Sequence, residues 1–237
     1  MKGDMIEGPQ VVGGEEKFDM EPIARYIDQT LLNPAATGAE VEAFVKDALP
    51  YRFQSCCVNS AHIERVAALL KNSSTLPCSV VAFPFGAAVG EAKIAEAVFA
   101  AEKGALEIDY VVDIGRAVGG DFNFLSREAH GIVAAVGRFG VTVKAILELC
   151  YLDEQTKERA ARAVLEGGVD FLKTSTGYGG GGATVADVSL LRRVAGKRAK
   201  VKASGGIRDY ETAMAMIRAG ADRIGASAGG AIVAGET

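Results

Sequence analysis

Eight short, mostly apolar runs recur along the chain, at residues 24–30, 53–59, 78–84, 106–113, 141–148, 170–176, 199–204 and 222–227. Runs such as "LEIDYVVD" and "VTVKAILE" are rich in β-branched residues, the composition of a strand. Their starts lie 23 to 35 residues apart, the length of one βα unit. The segments between them carry helix signals. "GEAKIAEAVFAAEKG" (90–104) has apolar residues at helical spacing and ends on Gly. Asp153-Glu154 places acid in a first turn, and Gly167-Gly168 stops the same segment. Runs of nearly continuous hydrophobicity imply parallel strands covered by helices. Eight such units in 237 residues predict an α/β protein of the (β/α)8 barrel class. An open doubly wound sheet is the alternative, weakened because no Gly-x-Gly-x-x-Gly follows the first strand. The barrel is expected to occupy residues 21–237 as one domain. Residues 1–20, "MKGDMIEGPQVVGGEEKFDM", are expected to form a flexible polar extension without the apolar stretch of a signal peptide.

A weak internal repeat places the chemistry. Three helix ends read "KGALEID" (103–109), "GGVDFLK" (167–173) and "AGADRIG" (219–225). Aligning Gly104, Gly168 and Gly220 puts Asp109, Lys173 and Gly225 each five residues beyond the glycine. If the turns are alike, these three share a depth on alternate strands, which fill the same interior layer of a barrel. Lys202, 29 residues after Lys173, sits in the same Lys-x-Ser context on the next strand. An acid and two lysines are therefore expected to converge near the C-terminal mouth.

A buried lysine is costly unless it is paired, and a structural ion pair is the bland account of any one of them. Two in matching strands beside an acid point to amine catalysis. A nucleophilic lysine must be neutral although its ordinary pKa is about 10.4. A second ammonium at roughly 5 Å, at an effective dielectric near 20, opposes the charge by about 3 kcal/mol, or roughly two pKa units. Desolvation acts in the same direction. Either Lys173 or Lys202 could then attack a carbonyl, with the other as its electrostatic partner. Asp109 would shuttle protons. Lys144 is a third strand lysine, with Glu148 four residues on, and is expected to join the pocket as an ion-pair member.

Composition narrows the partners. Net charge is −4 and no basic block appears, which argues against nucleic acid. No apolar run approaches a membrane span. Cys56, Cys57, Cys78 and Cys150 suit reduced cytoplasmic packing residues, two of them being adjacent. His62 and His130 stand alone on predicted helices, so no metal site is expected. Three Gly-rich turns, "STGYGGGGAT" (175–184), "SGGIRD" (204–209) and "GASAGG" (225–230), follow the last three strands. Beside paired lysines they suggest backbone N–H groups, ahead of helices, for the phosphate of a small substrate. A homo-oligomer is compatible with a barrel carrying apolar helix faces.

These residues resemble the deoxyribose-phosphate aldolase family, lysine-dependent class I aldolases on a (β/α)8 barrel. The resemblance rests on "YIDQTLL" (26–32), "CVN" (57–59), "FPFGA" (83–87), "EIDYVVDIG" (107–115), "VKAILE" (143–148), "FLKTSTG" (171–177), "GGATVADV" (181–188), "VKASGGIRD" (201–209) and "DRIGAS" (222–227), in family order. It implies Lys173 as the Schiff-base lysine, Lys202 as the neighbour that depresses its pKa, and Asp109 as the acid/base group acting with a water. It implies substrate and phosphate contacts from Asp28, Thr30, Lys144, Thr174, Gly177, Ser204, Gly205, Gly206, Gly225 and Ser227. The implied reaction is reversible cleavage of 2-deoxy-D-ribose 5-phosphate to acetaldehyde and D-glyceraldehyde 3-phosphate, without metal or organic cofactor.

The chain departs from the family pattern at several places. Gln29 stands where His is frequent in the first strand, and Ala226 and Ala228 replace hydroxyl residues in the last. Phe83 stands where a Gly is common and Leu149 where a Thr is common. These substitutions leave two alternatives open: a related lysine aldolase with a different substrate preference, and a phosphate-binding barrel without turnover.

Overall fold

A computed structural model describes residues 21–236. The expected extension at 1–20 lies outside the described residues. Eight parallel strands close into a barrel in chain order. They are β1 (Ile27–Leu31), β2 (Ser55–Val58), β3 (Leu76–Val81), β4 (Glu107–Val111), β5 (Thr142–Ile146), β6 (Phe171–Lys173), β7 (Lys200–Ser204) and β8 (Arg223–Ala226). Each falls inside or overlaps one of the eight runs read from the sequence. The helices between them are α1 (Gly38–Ala48), α2 (Ile63–Leu70), α3 (Gly90–Glu102), α4 (Ile114–Val118), α5 (Phe122–Val136), α6 (Glu154–Glu166), α7 (Val185–Ala195), α8 (Tyr210–Arg218) and α9 (Gly229–Ala234). The open-sheet alternative is excluded by the β1–β8 pairing that closes the ring.

Local chemistry sets the helix ends. Thr37 and Glu40 form a reciprocal capping box at α1. The Asp153 side chain accepts from the Thr156 N–H at the start of α6, 2.7 Å away. Gly168 just past α6 takes a left-handed φ of 91°. Gly104 and Gly220 do the same after α3 and α8, at 99° and 108°. The three turns of the internal repeat are thus alike, which is why equal offsets beyond them reach equal depth.

The main apolar core lies between strands and helices, where Ile108, Val143, Leu172, Val201 and Ile224 are buried under the helical layer. Each such side chain contributes roughly 1.5–3 kcal/mol of transfer free energy. The inside of the ring is different. Asp28, Glu107, Asp109, Lys144, Lys202 and Arg223 are all buried there, with Ser55, in place of the branched layers that fill most such barrels. A polar interior of this kind requires pairing throughout.

One further buried pair ties the outer layer to β4. Lys93 on α3 donates to Glu128 on α5 at 2.6 Å and to the Val111 carbonyl at 2.9 Å. Both side chains are essentially inaccessible. Glu128→Ala leaves the Lys93 ammonium uncompensated and is expected to destabilise the fold by about 3–5 kcal/mol. Lys93→Met combined with Glu128→Leu is expected to cost clearly less. Urea unfolding midpoints of the three proteins check the ordering.

Candidate active site

The register of the sheet assembles the site. Asp109 pairs across the ladder with Lys144, and Lys173 with Lys202. The two pairs are offset by two residues across β5 and β6, and the tilt of the strands brings all four side chains together inside the ring. Lys173 Nζ and Lys202 Nζ each lie 2.7 Å from Asp109 Oδ2, and Lys144 Nζ lies 2.8 Å from Oδ1. The Cys78 thiol also donates to Oδ1, at 3.4 Å. One carboxylate thus holds three ammonium groups.

Beneath this cluster the charges continue. Lys202 also contacts Asp28 Oδ2 at 2.5 Å, and Lys144 contacts Glu107 at 2.7 Å. Arg223 on β8 closes the network, reaching Asp28 at 2.5 Å and forming a short bond to Glu107. Burial alone would push these carboxylates up. The surrounding cations overcome it, holding Asp28 and Asp109 well below the usual carboxylate range. Burial would likewise lower Lys144 and Lys202. The carboxylates, Asp109 foremost, hold both above the usual lysine value instead. These two are fixed cations, so of the lysines in the cluster Lys173 is left as the candidate nucleophile.

Above Lys173 opens a cavity of about 310 Å³. One wall is the Gly205-Gly206 turn, where two successive residues take left-handed φ of 89° and 83°. Gly177, Ser204, Gly225, Ser227 and Thr30 complete the expected residues on its walls. Glycine is required in two places by contact. A Cβ at Gly225 would lie 3.1 Å from Lys202 Cε and 2.9 Å from Ser204 Cβ, and one at Gly182 would overlap the Gly205 carbonyl. Among the described residues the cavity wall carries two basic side chains, Lys173 and Arg208, and no carboxylate. Tyr178 roofs it, its hydroxyl donating to the Leu32 carbonyl at 2.9 Å and its ring meeting Phe83 edge-on.

Several expected residues sit elsewhere. Asp28 and Lys144 are fully buried beneath the cavity floor and do not line it. Thr174 is also buried, its hydroxyl bonded to the backbone of Ser204. Lys144 is an ion-pair member, but its partners are Glu107 and Asp109, not Glu148. Strand β5 ends at Ile146, so the period-two argument fails before Glu148 is reached. Glu148 instead accepts from the Thr176 N–H at 3.2 Å and from its hydroxyl, anchoring the glycine-rich loop. The helix that follows Gly205-Gly206 does not offer a free N-terminus either, because Asp209 caps α8. The position in the β3 turn that favours glycine is Ala82, with φ 52°, one residue before Phe83. Gln29 bridges the Ser227 carbonyl and the Gly229 N–H, fastening the β8–α9 loop.

Arg208, Arg223, Glu107 and Tyr178 were not singled out by sequence reasoning. Arg208 had a signal, as the one cation in "SGGIRD". Cys57, Cys78 and Asp109 bring one ligand atom each within 4.8 Å of one another, but three ammonium groups already neutralise Asp109 and oppose a cation there. His130 is exposed on α5 and His62 half-buried on the turn before α2. All four cysteines are free.

Comparison with known proteins finds relatives that share the barrel. The family model described as DeoC/LacD family aldolase matches residues 23–235. A deoxyribose-phosphate aldolase from Caldanaerobacter subterraneus subsp. tengcongensis is 49% identical over 212 residues, 89% of this chain and 92% of that protein. One from Staphylococcus saprophyticus is 44% identical, over 90% and 96% respectively. Among solved structures, an aldolase called QR15 superposes with a TM-score of 0.86 at 37% identity, covering 91% of this chain and 96% of that one. The deoxyribose phosphate aldolase of Aeropyrum pernix, described as tetrameric, superposes with a TM-score of 0.83 at 34% identity, covering 90% and 89%.

Because the Asp109 carboxyl is depressed in the folded state, its contribution to stability is complete above its ordinary pKa of about 3.9 and is lost as pH falls toward the folded value. Asp109→Asn is therefore expected to be less stable than wild type at pH 7, with the gap narrowing as pH falls below about 4. Urea unfolding across that range checks the slope.

Proposed function

This chain belongs to the DeoC/LacD family of aldolases, and from that premise we propose that it is a deoxyribose-phosphate aldolase. It cleaves 2-deoxy-D-ribose 5-phosphate reversibly to acetaldehyde and D-glyceraldehyde 3-phosphate. The observation that carries this reading is Lys173 at the floor of a cavity whose described lining holds a second cation, Arg208, the Gly205-Gly206 turn and no acid. An aldehyde that enters with its phosphate toward Gly205, Gly206 and Ser227 brings its carbonyl toward Lys173. Arg208 adds a charge-assisted contact to that phosphate.

The neutral Lys173 amine attacks C1 of the open-chain sugar, and loss of water leaves a protonated imine. The C2–C3 bond then breaks. The proton on the C3 hydroxyl passes to a base, and the bonding pair flows into an enamine on C1 and C2, with the imine nitrogen as electron sink. D-Glyceraldehyde 3-phosphate departs. The enamine takes a proton at C2, and water hydrolyses the imine to acetaldehyde, returning the lysine. In the free enzyme both Asp109 oxygens are occupied by ammonium groups. When Lys173 turns toward substrate it vacates one of the two ammonium contacts on Oδ2, Lys202 keeping the other, and a proton-carrying water can take its place, which ties the acid/base role of Asp109 to imine formation. Lys202 stays charged and opposes positive charge on Lys173.

The fixed Lys202 cation and the polar cavity favour an active aldolase over an inactive binding barrel. The free cysteines support a reducing, cytoplasmic location. Among the described residues no helix is long and apolar enough to cross a membrane. The tetrameric relative from Aeropyrum pernix supports a homo-oligomer.

Wild-type protein is expected to release acetaldehyde and D-glyceraldehyde 3-phosphate from deoxyribose 5-phosphate in a coupled assay, and Lys173→Ala to release neither. Absence of turnover in wild type would overturn the assignment. Arg208→Gln is expected to raise KM for the phosphorylated sugar about tenfold, equivalent to about 1.4 kcal/mol. It should leave cleavage of unphosphorylated 2-deoxyribose nearly unchanged. An equal loss on both sugars would remove Arg208 from the phosphate site.

A further inference from the structure

Among the described residues seven charged side chains share the buried interior of the ring, and their signs nearly cancel. Asp28, Glu107 and Asp109 supply three negative charges, while Lys144, Lys202 and Arg223 supply three positive ones. Lys173 is the seventh. With Lys173 neutral the cluster is balanced; with Lys173 protonated it carries one excess positive charge in a site of low polarisability.

The contacts distribute that excess unevenly. Lys144 meets Glu107 and Asp109, with Asp28 further off at 4.0 Å, Lys202 meets Asp28 and Asp109, and Arg223 meets Asp28 and Glu107. Among the described residues Lys173 has one ion-pair partner, Asp109, and it is the member of the set on the cavity wall. The remaining titratable groups facing it are the thiols of Cys57 on β2, lowered by its hydrogen bond with Cys78, and of Cys78 on β3, pushed up by burial; this paired shift belongs to wild type and to every variant below alike. Arg208 stands above, on the same cavity wall. Arg223 and Glu107 lie on the far side, lining a basin of about 400 Å³ at the opposite end of the barrel and not the substrate cavity.

We propose that Arg223 and Glu107 are positioning residues that set the reactive, free-amine fraction of Lys173 through the charge balance of this cluster, without touching substrate. The inference rests on the aldolase reading and extends it to residues at the other end of the barrel. Removing the Arg223 charge leaves three carboxylates against two fixed cations, so the cluster retains the Lys173 proton and amine attack requires higher pH. Removing the Glu107 charge leaves three fixed cations against two carboxylates, so the proton leaves at lower pH. The two changes have opposite signs, which a purely structural role does not produce.

The test is the pH dependence of kcat/KM for deoxyribose 5-phosphate, whose acid limb reports groups of the free enzyme. Arg223→Gln is expected to move the acid limb up by about one pH unit and Glu107→Gln to move it down by a similar amount. The double variant should return toward wild type, and Arg223→Lys should hold the wild-type limb. Asp28→Asn supplies an independent anion deletion, expected to shift down as Glu107→Gln does. Each single variant decides by the sign of its shift, with circular dichroism confirming that it is folded. Loss of rate without opposed shifts, or shifts of one sign for both charges, would overturn the proposal. Failure of wild type to turn over the sugar would instead overturn the aldolase reading beneath it.

Discussion

Everything in the site depends on one carboxylate shared by three ammonium groups. Asp109 alone could not hold them, since each buried ion carries a desolvation penalty of several kcal/mol. Asp28 and Glu107 make the arrangement tenable by giving Lys202, Lys144 and Arg223 second partners. Lys173 is left with the single contact to Asp109. The same pairing that lets charges replace a hydrocarbon interior thus leaves one lysine less firmly held than the others, and it is the one that faces the cavity.

The barrel supplies the geometry for this. Parallel register fixes Asp109 beside Lys144 and Lys173 beside Lys202, so the cluster needs no loop to assemble it. Loops form most of the cavity wall instead. The Gly205-Gly206 turn packs against Gly177 and Gly182 closely enough that side chains there would collide or strain. Glu148 and Tyr178 pin the intervening loop to β5 and to the end of β1. Rigid strands hold the charged cluster and pinned loops shape the cavity wall, a division that lets the wall change without disturbing the lysines.

Much of this was legible in the sequence. The eight runs matched the eight strands because buried parallel strands have few alternatives to continuous hydrophobicity. The Gly104, Gly168 and Gly220 repeat led to Asp109 and Lys173 because each glycine makes the same left-handed turn. What stayed hidden depends on pairing across the ring. Glu107 and Arg223 read as ordinary charges at strand starts, and only barrel closure brings them together. Glu148 was misassigned to Lys144 because the strand stops two residues earlier than alternation suggested. Asp28 and Thr174 belong to the site's support and not its cavity wall, a difference of depth that spacing along one strand does not encode.

The central claim is that Lys173 forms a covalent imine with its substrate. Borohydride reduction in the presence of deoxyribose 5-phosphate, followed by peptide mass mapping, tests it most directly. The account predicts one reduced adduct, on the peptide carrying Lys173, with none on Lys202 or Lys144. An adduct on either of those lysines, or none on any lysine while the sugar is still cleaved, would contradict it.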